Sequence, residues 1–366
     1  MKQNVRLPLV ERGPNYLEII QRNARGISAD HRDAWMASMA GSGPSTKPVP
    51  PPRRLIIELA NTCVLDCPMC RVGRYGVNPD RFMPRALFDD IADTLFERVS
   101  EIRLNGIGEA TLVPWFDHCV ERVRASGAQG ELITALVCDE ATIDALVEAG
   151  FVLLVSWDAV TPRVYETLRR PARFEAQLAK LRHLGARART EGRSSDMHIL
   201  FTLQGANIGE LAGVVDLAGE HGIPNVVVNV VKAPSGGWMA RRGPDIAASF
   251  EVAAERAAAR GVRLFLPSRL GGEAVERPEA LPCASEGCDR PWREVVVRWN
   301  GDITVCNMFN PFTYGHWRRH GLDAAWNSPM AGAFRQMVNT ERRHPYCVDC
   351  QYIDGVYDRR IRGAAE

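Results

Sequence analysis

From Arg53 onward, short apolar runs rich in β-branched residues alternate with helical patterns, and this alternation limits the possible fold more than any other feature. We predict six strands, at 54–60, 101–107, 131–136, 151–157, 197–204 and 225–231. Helical patterns follow them, near 84–98, 115–126, 140–149, 162–190, 207–220 and 245–260. Successive βα units predict an α/β fold in which a parallel sheet curls into a partial (β/α)6 barrel.

The chain divides into four predicted segments. Residues 1–52 form an amino-terminal extension that ends in a proline-rich linker, which cannot continue a helix. The barrel is expected over 53–245, a connecting helical segment over 246–282, and a small carboxyl-terminal domain over 283–366. With 366 residues and 46% hydrophobic content, the chain can bury a large core.

Three cysteines directly follow the first predicted strand. Cys63, Cys67 and Cys70 have the spacing C-x3-C-x2-C, which places them on a loop at the carboxyl end of that strand. Three such thiolates can hold three irons of a 4Fe–4S cluster and leave the fourth iron open. A zinc site usually needs four N or S ligands, and no fourth Cys or His follows nearby. The absence of an apolar signal segment argues against disulfides.

This motif in this context resembles the radical S-adenosylmethionine (radical SAM) enzymes. The resemblance implies a TIM-like partial barrel whose open iron chelates the amino and carboxylate groups of SAM. It also implies that one electron from the cluster cleaves SAM to a 5′-deoxyadenosyl radical, which abstracts hydrogen from a substrate. An external reductant of the flavodoxin or ferredoxin type is expected as a partner.

Four further residues are assigned to SAM binding by the same resemblance. The segment 105–110 is similar to the family's Gly-Gly-Glu-Pro segment, in which Gly108 would let backbone approach the ligand and Glu109 would accept from the SAM ammonium. Ser156, in a Ser-x-Asp strand end, and the downstream Arg169 also match family positions.

Neighbouring residues receive structural roles. We expect Asp158 to cap the turn after the fourth strand and Asn207 to be a helix N-cap. We assign no role to the third strand end at 134–136, where many family members have Thr-Asn-Gly.

A second group of cysteines lies near the carboxyl terminus. Cys288 and Cys306 are separated by 17 residues, and Cys347 and Cys350 follow as C-x2-C. The segment 295–305 predicts a β-hairpin with an Asn-Gly turn that brings the first two together. Four thiolates are the ligand set of a closed 4Fe–4S cluster, and a structural zinc site is the alternative.

The surrounding pattern resembles the SPASM domain, or its shortened form, the twitch domain. The resemblance rests on Tyr314-Gly315-His316 and on Ala325-Trp326. It implies one auxiliary 4Fe–4S cluster with four cysteine ligands.

Three cysteines remain. Cys119 and Cys138 are expected to be buried small hydrophobic residues. Cys283 is a candidate hydrogen-atom donor, an alternative cluster ligand, or an inert residue. Cys283 is the one candidate catalytic side chain.

A fully ligated second cluster near the substrate can accept the electron of a substrate radical. We therefore expect a two-electron oxidation of an alcohol in a small polar molecule, of the sugar, aminocyclitol or nucleoside type, in natural-product biosynthesis. The 62 residues before Cys63 are short for a leader-binding module, which disfavours a ribosomal-peptide maturase. Epimerisation or dehydration of a similar substrate is a further alternative, and a non-catalytic metal-binding protein is the least favoured.

No catalytic base is assigned. Asn307 occupies the position where sulfatase-maturing members have an aspartate, and an amide cannot act as a base. Other polar candidates near a substrate are Asn229, Lys232 and His316. The net charge of +1 gives no reason to expect nucleic acid or an anionic membrane as a partner, and a cytoplasmic location is expected.

Overall fold

The computed structural model describes residues 49–70, 72, 77–231, 241–267, 269–270, 273–274, 288–304, 306, 313–340 and 347. Within these ranges, no helix is both long and apolar enough to cross a membrane.

Twelve strands lie in the described ranges. They are β1 Arg54–Ile57, β2 Glu101–Arg103, β3 Gln129–Thr134, β4 Val152–Ser156, β5 Met197–Leu203, β6 Asn225–Val230, β7 Arg263–Phe265, β8 Arg269–Leu270, β9 Glu273–Ala274, β10 Glu294–Val297, β11 Asp302–Thr304 and β12 Thr313–His316. The α-helices are α1 Arg85–Leu95, α2 Phe116–Ser126, α3 Glu140–Glu148, α4 Pro162–Leu168, α5 Phe174–Thr190, α6 Leu211–Glu220, α7 Gly243–Arg260, α8 Arg290–Arg293, α9 Trp317–Trp326 and α10 Pro329–Met337.

The main sheet has ten strands in the order β12-β11-β10-β1-β2-β3-β4-β5-β6-β7. Strands β1 to β7 are parallel and adjacent in chain order, with helices in the connections. This confirms the predicted α/β fold, in which a mostly parallel sheet forms a partial TIM-like barrel. Because the strands are parallel, the residues after each carboxyl end meet at one edge of the sheet.

The segment 246–282 differs from the helical connection that we predicted. Its start falls inside α7, and the chain then forms β7, which pairs in parallel with β6. The sheet therefore gains a seventh βα-type strand at the end of the barrel. The domain boundaries themselves stay predictions.

The helical pattern at 162–190 corresponds to two helices, α4 and α5. Pro171 lies in the break between them, where its ring removes a backbone N–H donor. Arg169 is the C-cap residue of α4, so its position is set by this break.

The sheet has two distinct faces. Residues such as Leu153 and Val155 belong to the large core shared with the helices, whereas Leu154, Leu200 and Val227 form a separate buried cluster on the opposite face. Because side chains alternate along a strand, this second face is the barrel interior. The aliphatic layer separates a charged network around Arg54 at the amino-terminal ends from polar groups at the carboxyl ends.

The carboxyl-terminal hairpin extends the barrel sheet. Strand β10 pairs in parallel with β1, and β11 and β12 add antiparallel strands beyond it. Across this junction the buried Arg298 guanidinium lies 3.4 Å from the buried Glu58 carboxylate. The hairpin that precedes Cys306 is thus fixed to the strand that precedes Cys63.

Candidate active site

The first three cysteines lie on the loop after β1, at the carboxyl edge of the sheet. The thiol of Cys67 is buried, and those of Cys63 and Cys70 are half-buried. The Leu65 amide donates to Cys63 Sγ at 3.4 Å, and the Cys70 amide donates to the Cys67 carbonyl at 2.9 Å. These local bonds curl the loop, and Leu65, Cys67 and Ala135 form a small apolar cluster with the other two cysteines packed against it.

The thiols of this loop act on one another electrostatically. Burial is the largest cause that raises the pKa of Cys63 to about 12; the Leu65 amide opposes the rise, and the Glu109 carboxylate and the other two thiols contribute to it. Burial also raises the pKa of Cys67 to about 11, although the Arg169 guanidinium opposes the shift. Buried thiols of this kind stay protonated without a metal, and a metal ligates them by displacing the proton.

Glu109 lies beside these thiols with its carboxylate buried. Its Oε1 accepts from Thr111 Oγ1 at 2.9 Å and from Thr134 Oγ1 at 3.0 Å, and its Oε2 accepts from the Ala135 amide at 3.0 Å. Burial raises the pKa of Glu109, and these hydrogen bonds oppose that rise. The carboxylate is therefore held in one position next to Cys63.

Gly108 allows two loops to meet. A Cβ atom at this position would lie 2.4 Å from the Ala60 carbonyl oxygen and 2.7 Å from the Thr62 amide nitrogen. The next amide, that of Glu109, donates to the Thr62 carbonyl at 3.0 Å. Because Thr62 directly precedes Cys63, this contact ties Glu109 to the cysteine loop.

The third strand end, to which we assigned no role, supplies two of the bonds to Glu109. Thr134 Oγ1 donates to the carboxylate and also accepts from the Leu136 amide at 3.0 Å. Leu136 has a positive φ of 53°, a conformation that glycine adopts more easily. Lys180 Nζ donates to the Leu136 carbonyl at 3.1 Å and helps to hold this turn. The family pattern Thr-Asn-Gly, with glycine at the third position, is the sequence signal that could have predicted the role of this strand end in holding Glu109.

Arg169 lies beside Cys67. Its Nη2 is 2.5 Å from Asp158 Oδ2, and its positive charge acts on the Cys67 thiol. Burial would lower the pKa of Arg169, but the carboxylate of Asp158 and the Cys67 thiol raise it on balance. Asp158 is structural, as expected, but it does not cap the following turn. It pairs with Arg169 and accepts from the Thr202 amide at 2.7 Å.

Other predicted polar residues are placed as follows. Ser156 ends β4 half-buried, on the strand face that carries Leu154. Asn229 lies opposite Thr202 in the β5–β6 register. Asn207 occupies the N-cap position of the short 3₁₀ helix Ile208–Glu210, as expected, but its side chain makes no capping bond. It donates instead to the carbonyls of Asp158 and Thr202, both at 3.0 Å, and ties two strand ends together.

The carboxyl-terminal cysteines gather around the hairpin. Cys288, Cys306 and Cys347 are each half-buried and pack against the main core. The Asn339 side chain fixes the backbone of Cys288, accepting from its amide at 2.6 Å and donating to its carbonyl at 3.1 Å.

A buried hydroxyl at this group of cysteines fits an iron–sulfur cluster. Tyr314 is buried, and its hydroxyl has no hydrogen-bond partner among the described residues. Burial raises the pKa of Tyr314, and the thiols of Cys306, Cys288 and Cys347 contribute to the shift. A cluster held by these cysteines would offer sulfur acceptors where the structure has an unmet donor.

In the part of the chain that the structure describes, no three His, Cys, Asp or Glu side chains are grouped to hold a single metal ion. This is compatible with clusters, because each thiolate of a 4Fe–4S cubane binds a different iron.

The remaining predicted residues divide into two groups. Cys119 and Cys138 are buried, as expected for small hydrophobic residues. His316 lies against the turn at Gly301. Outside the described residues are Cys283, Cys350, Lys232 and Asn307. The hydrogen-donor and ligand roles of Cys283 and the ligand role of Cys350 stay predictions.

Residues 288–351 match the model of the SPASM family, described as an iron–sulfur cluster-binding domain. The match begins at Cys288 and includes Cys350. No curated protein sequence matches the chain.

The fold is similar to that of two radical SAM enzymes. One is Streptococcus suis SuiB bound to S-adenosylmethionine, with a TM-score of 0.60 and 17% identity over 78% of this chain and 68% of that chain. The other is anSMEcpe with bound AdoMet, with a TM-score of 0.60 and 13% identity over 83% of this chain and 89% of that one. The chain has the radical SAM fold and a carboxyl-terminal SPASM domain. The family match and this fold together support 4Fe–4S clusters and SAM as the cofactors.

Proposed function

We propose that this chain is a radical SAM enzyme that cleaves SAM at the loop of Cys63, Cys67 and Cys70. The observation that carries the proposal is the position of Glu109. Its carboxylate is buried beside Cys63 and held by three hydrogen bonds from separate residues. A fixed carboxylate next to an open cluster iron is a suitable acceptor for the ammonium of a chelated amino acid.

Each residue of the site has a separate task. The three cysteines hold the cluster, and the loop bonds from Leu65 and Cys70 set their spacing. Gly108 keeps the loop of Glu109 against that of Cys63. Arg169 places positive charge beside Cys67 and so stabilises its thiolate. When bound, the cluster and SAM supply one-electron cleavage to a 5′-deoxyadenosyl radical.

Substrate oxidation is the proposed outcome, with the auxiliary cluster of Cys288, Cys306, Cys347 and Cys350 as electron acceptor. Strand β10 of the SPASM hairpin pairs with β1, which leads into the first cysteine loop. Because β11 runs antiparallel to β10, Cys306 lies toward the amino-terminal end of β1, at the opposite edge of the sheet from Cys63. The support for the auxiliary cluster as electron acceptor is therefore the direct attachment of the hairpin to β1, and the electron would pass along these strands.

The test compares cysteine variants in anaerobically reconstituted protein. We expect about eight irons in the wild type and about four after Cys63, Cys67 and Cys70 are all changed to Ala. Cys67→Ala should abolish formation of 5′-deoxyadenosine from SAM. Cys347→Ala should keep part of the SAM cleavage while product formation stops. Cys119→Ala, which removes a buried thiol of α2, is the matched control and should retain both activities.

Two results would contradict the proposal. Iron content of about four in the wild type and none in the triple variant would mean that the SPASM cysteines hold no cluster. Normal turnover by Cys347→Ala would remove the auxiliary cluster from the electron path.

For the substrate, we propose a small polar molecule with an oxidisable alcohol, of the sugar, aminocyclitol or nucleoside type. Ser156 shares the strand face of the interior aliphatic cluster, and it follows Leu154 at the carboxyl end of β4. Thr202 and Asn229 add hydrogen-bonding groups at the ends of the next two strands. Such a layer favours a hydroxyl-bearing substrate over an apolar one.

A peptide is the second candidate. The same fold is found in SuiB bound to precursor peptide SuiA, with a TM-score of 0.60 and 16% identity over 92% of this chain and 74% of that chain. Stimulation of 5′-deoxyadenosine formation by amino sugars, aminocyclitols or nucleosides, but not by cysteine- or serine-containing peptides, would support the small-molecule proposal. Stimulation by the peptides alone would overturn it.

A further inference from the structure

Two hydrogen-bond donors are buried without partners beside the SPASM cysteines. One is the Tyr314 hydroxyl on β12, and the other is Nη2 of Arg335 on α10. Both side chains are at most 7% exposed, and neither atom has a partner among the described residues. A buried donor without an acceptor is costly, so native proteins rarely keep one unless another group completes it.

Arg335 is held in place by the rest of its guanidinium. Its Nε donates to the Pro291 carbonyl and its Nη1 to the Trp326 carbonyl, both at 2.8 Å. The guanidinium also stacks on the Trp326 ring, with its Cζ 4.5 Å from the ring centroid. The two carbonyls therefore fix the orientation of the guanidinium, while Nη2 has no acceptor among the described residues.

The charge of Arg335 is also uncompensated in the described part of the chain. No carboxylate of those residues forms an ion pair with it, whereas the buried Arg54, Arg103, Arg169, Arg290 and Arg298 each pair with one. A buried cation without an anion indicates that an anionic group belongs nearby.

Tyr314 connects this cation to the cysteines. Its ring packs edge-on against Phe334, the neighbour of Arg335, at a centroid distance of 6.4 Å. The groups that act electrostatically on its hydroxyl are Arg335 and the thiols of Cys306, Cys288 and Cys347. Tyr314 also lies on β12 next to Thr313, which pairs with Thr304, two residues before Cys306. The hydroxyl thus lies near both an unpaired cation and thiols that would be cluster ligands.

We propose that Tyr314 donates an O–H···S hydrogen bond to the auxiliary cluster, and that Arg335 supplies the positive charge behind it. This inference rests on the proposed auxiliary cluster. A thiolate-ligated 4Fe–4S cluster carries net negative charge, which increases when it is reduced. A donor and a cation aimed at its sulfurs stabilise the reduced form and raise the reduction potential. These residues thereby make the cluster a better acceptor for the electron of a substrate radical.

The test measures the midpoint potential of the auxiliary cluster by EPR-monitored redox titration. The protein is the full chain with Cys63, Cys67 and Cys70 changed to Ala, so that only the auxiliary cluster contributes. In this background we expect Tyr314→Phe to make reduction about tenfold less favourable, a downward shift of about 59 mV for one electron. Arg335→Gln, which keeps donors but removes the charge, should lower the potential as well.

Tyr165→Phe is the matched control. Tyr165 is also buried, but it packs against Trp157 and Phe174 in the barrel, and none of the SPASM thiols acts on its hydroxyl. Its replacement should leave the auxiliary potential unchanged. An unchanged potential in Tyr314→Phe with full iron content would overturn the inference, and an unchanged potential in Arg335→Gln would remove Arg335 from it.

A second measurement does not depend on how the variants fold. Deuterium ENDOR of the reduced auxiliary cluster, with protein ring-deuterated at tyrosine, should detect deuterons coupled to the cluster. Absence of this coupling would overturn the role of Tyr314. If the background protein binds no iron, the auxiliary-cluster proposal fails first, so the two failures are distinguishable.

Discussion

Glu109 shows at the scale of one residue how a ligand site can be prepared at a cost to the empty protein. Its carboxylate is buried, and burial raises its pKa above that of the unfolded chain. The folded protein therefore holds this proton more tightly than the unfolded chain does. Stability of the empty protein accordingly falls as the pH rises from the unfolded pKa toward the folded one. The positive charge of a bound ammonium would stabilise the ionised carboxylate and offset that loss of stability.

We predict that Glu109→Gln weakens SAM binding. The amide has the shape of the carboxylate but no charge for the SAM ammonium, and a hydrogen bond to a charged group contributes about 1.5–3 kcal/mol. Isothermal titration of the reconstituted protein should show roughly a 10- to 150-fold higher Kd for SAM. The amide nitrogen of Gln cannot accept from the Ala135 amide as Oε2 does, so urea unfolding of the empty protein at pH 7 is the control that measures the accompanying loss of stability. An unchanged Kd would contradict the proposed ammonium contact.

We predict that Gly108→Ala destabilises the site loop, because its Cβ would meet backbone atoms that cannot rotate away. Overpacking of this kind costs about 1–3 kcal/mol. Urea unfolding should reveal the loss, and iron incorporation at the first cluster should fall. Gly209→Ala is the control, since nothing lies within 4 Å of a Cβ at Gly209. Equal stabilities of the two variants would contradict the close contact between Gly108 and the Ala60–Thr62 backbone.

At the scale of elements, the SPASM hairpin shows how a turn positions a cluster ligand. Asn300-Gly301 predicts a two-residue turn, but the loop between Arg298 and Asp302 has three residues. The Arg298 amide donates to the Asp302 carbonyl, and the Gly301 amide donates to the Arg298 carbonyl, both at 2.8 Å. Gly301 has a φ of 89°, which suits the last residue of a three-residue loop.

We predict that Gly301→Ala destabilises this hairpin. A positive φ costs a residue with a Cβ about 1–2 kcal/mol, and the His316 ring would lie 3.1 Å from the new atom. Gly127→Ala shares the positive φ but has open space around it, so it isolates the backbone cost. Thermal unfolding should therefore show a larger loss for Gly301→Ala, accompanied by lower iron content at the SPASM site. A smaller loss than that of Gly127→Ala would contradict the contact with His316.

At the scale of the whole molecule, one buried charged network joins the SPASM hairpin to the barrel. Arg54 on β1 lies 2.5 Å from Glu131 on β3 and 3.7 Å from Glu294 on β10. Arg103 pairs with Glu131 from β2, and Arg290 pairs with Glu294 at 3.0 Å. The network therefore crosses from the first barrel strands to the first strand of the hairpin.

We predict that Arg54→Ala destabilises the protein by about 3–5 kcal/mol, because it leaves carboxylates buried without their partner. Unfolding followed by tryptophan fluorescence should show one shifted transition, since β1 and β10 lose the same partner. Arg124→Ala, which breaks an exposed pair with Glu121, should leave the midpoint unchanged. Separate transitions for barrel and hairpin would contradict the structural role of the network.

Local patterns predicted the parallel strands of the barrel because each strand and its helix are neighbours in the chain. The pairing of β1 with β10 was not predictable in this way. It joins segments about 240 residues apart, since Arg54 is the register partner of Glu294. The pairing also depends on which strand edge of the barrel stays open. The strand β7 was missed for a related reason, because a three-residue strand has no clear alternation of its own.

The sequence by itself predicted the radical SAM fold and the SPASM domain, since cysteine spacing within a loop is a local pattern that can be recognised without knowledge of the packing. Only the tertiary structure decided which groups surround those cysteines. Glu109 lies beside Cys63 and Arg169 beside Cys67 through the register of strands and the packing of helices. Both residues come from segments distant in the chain from their cysteines, and the free energy of burying the shared core is what brings the segments together.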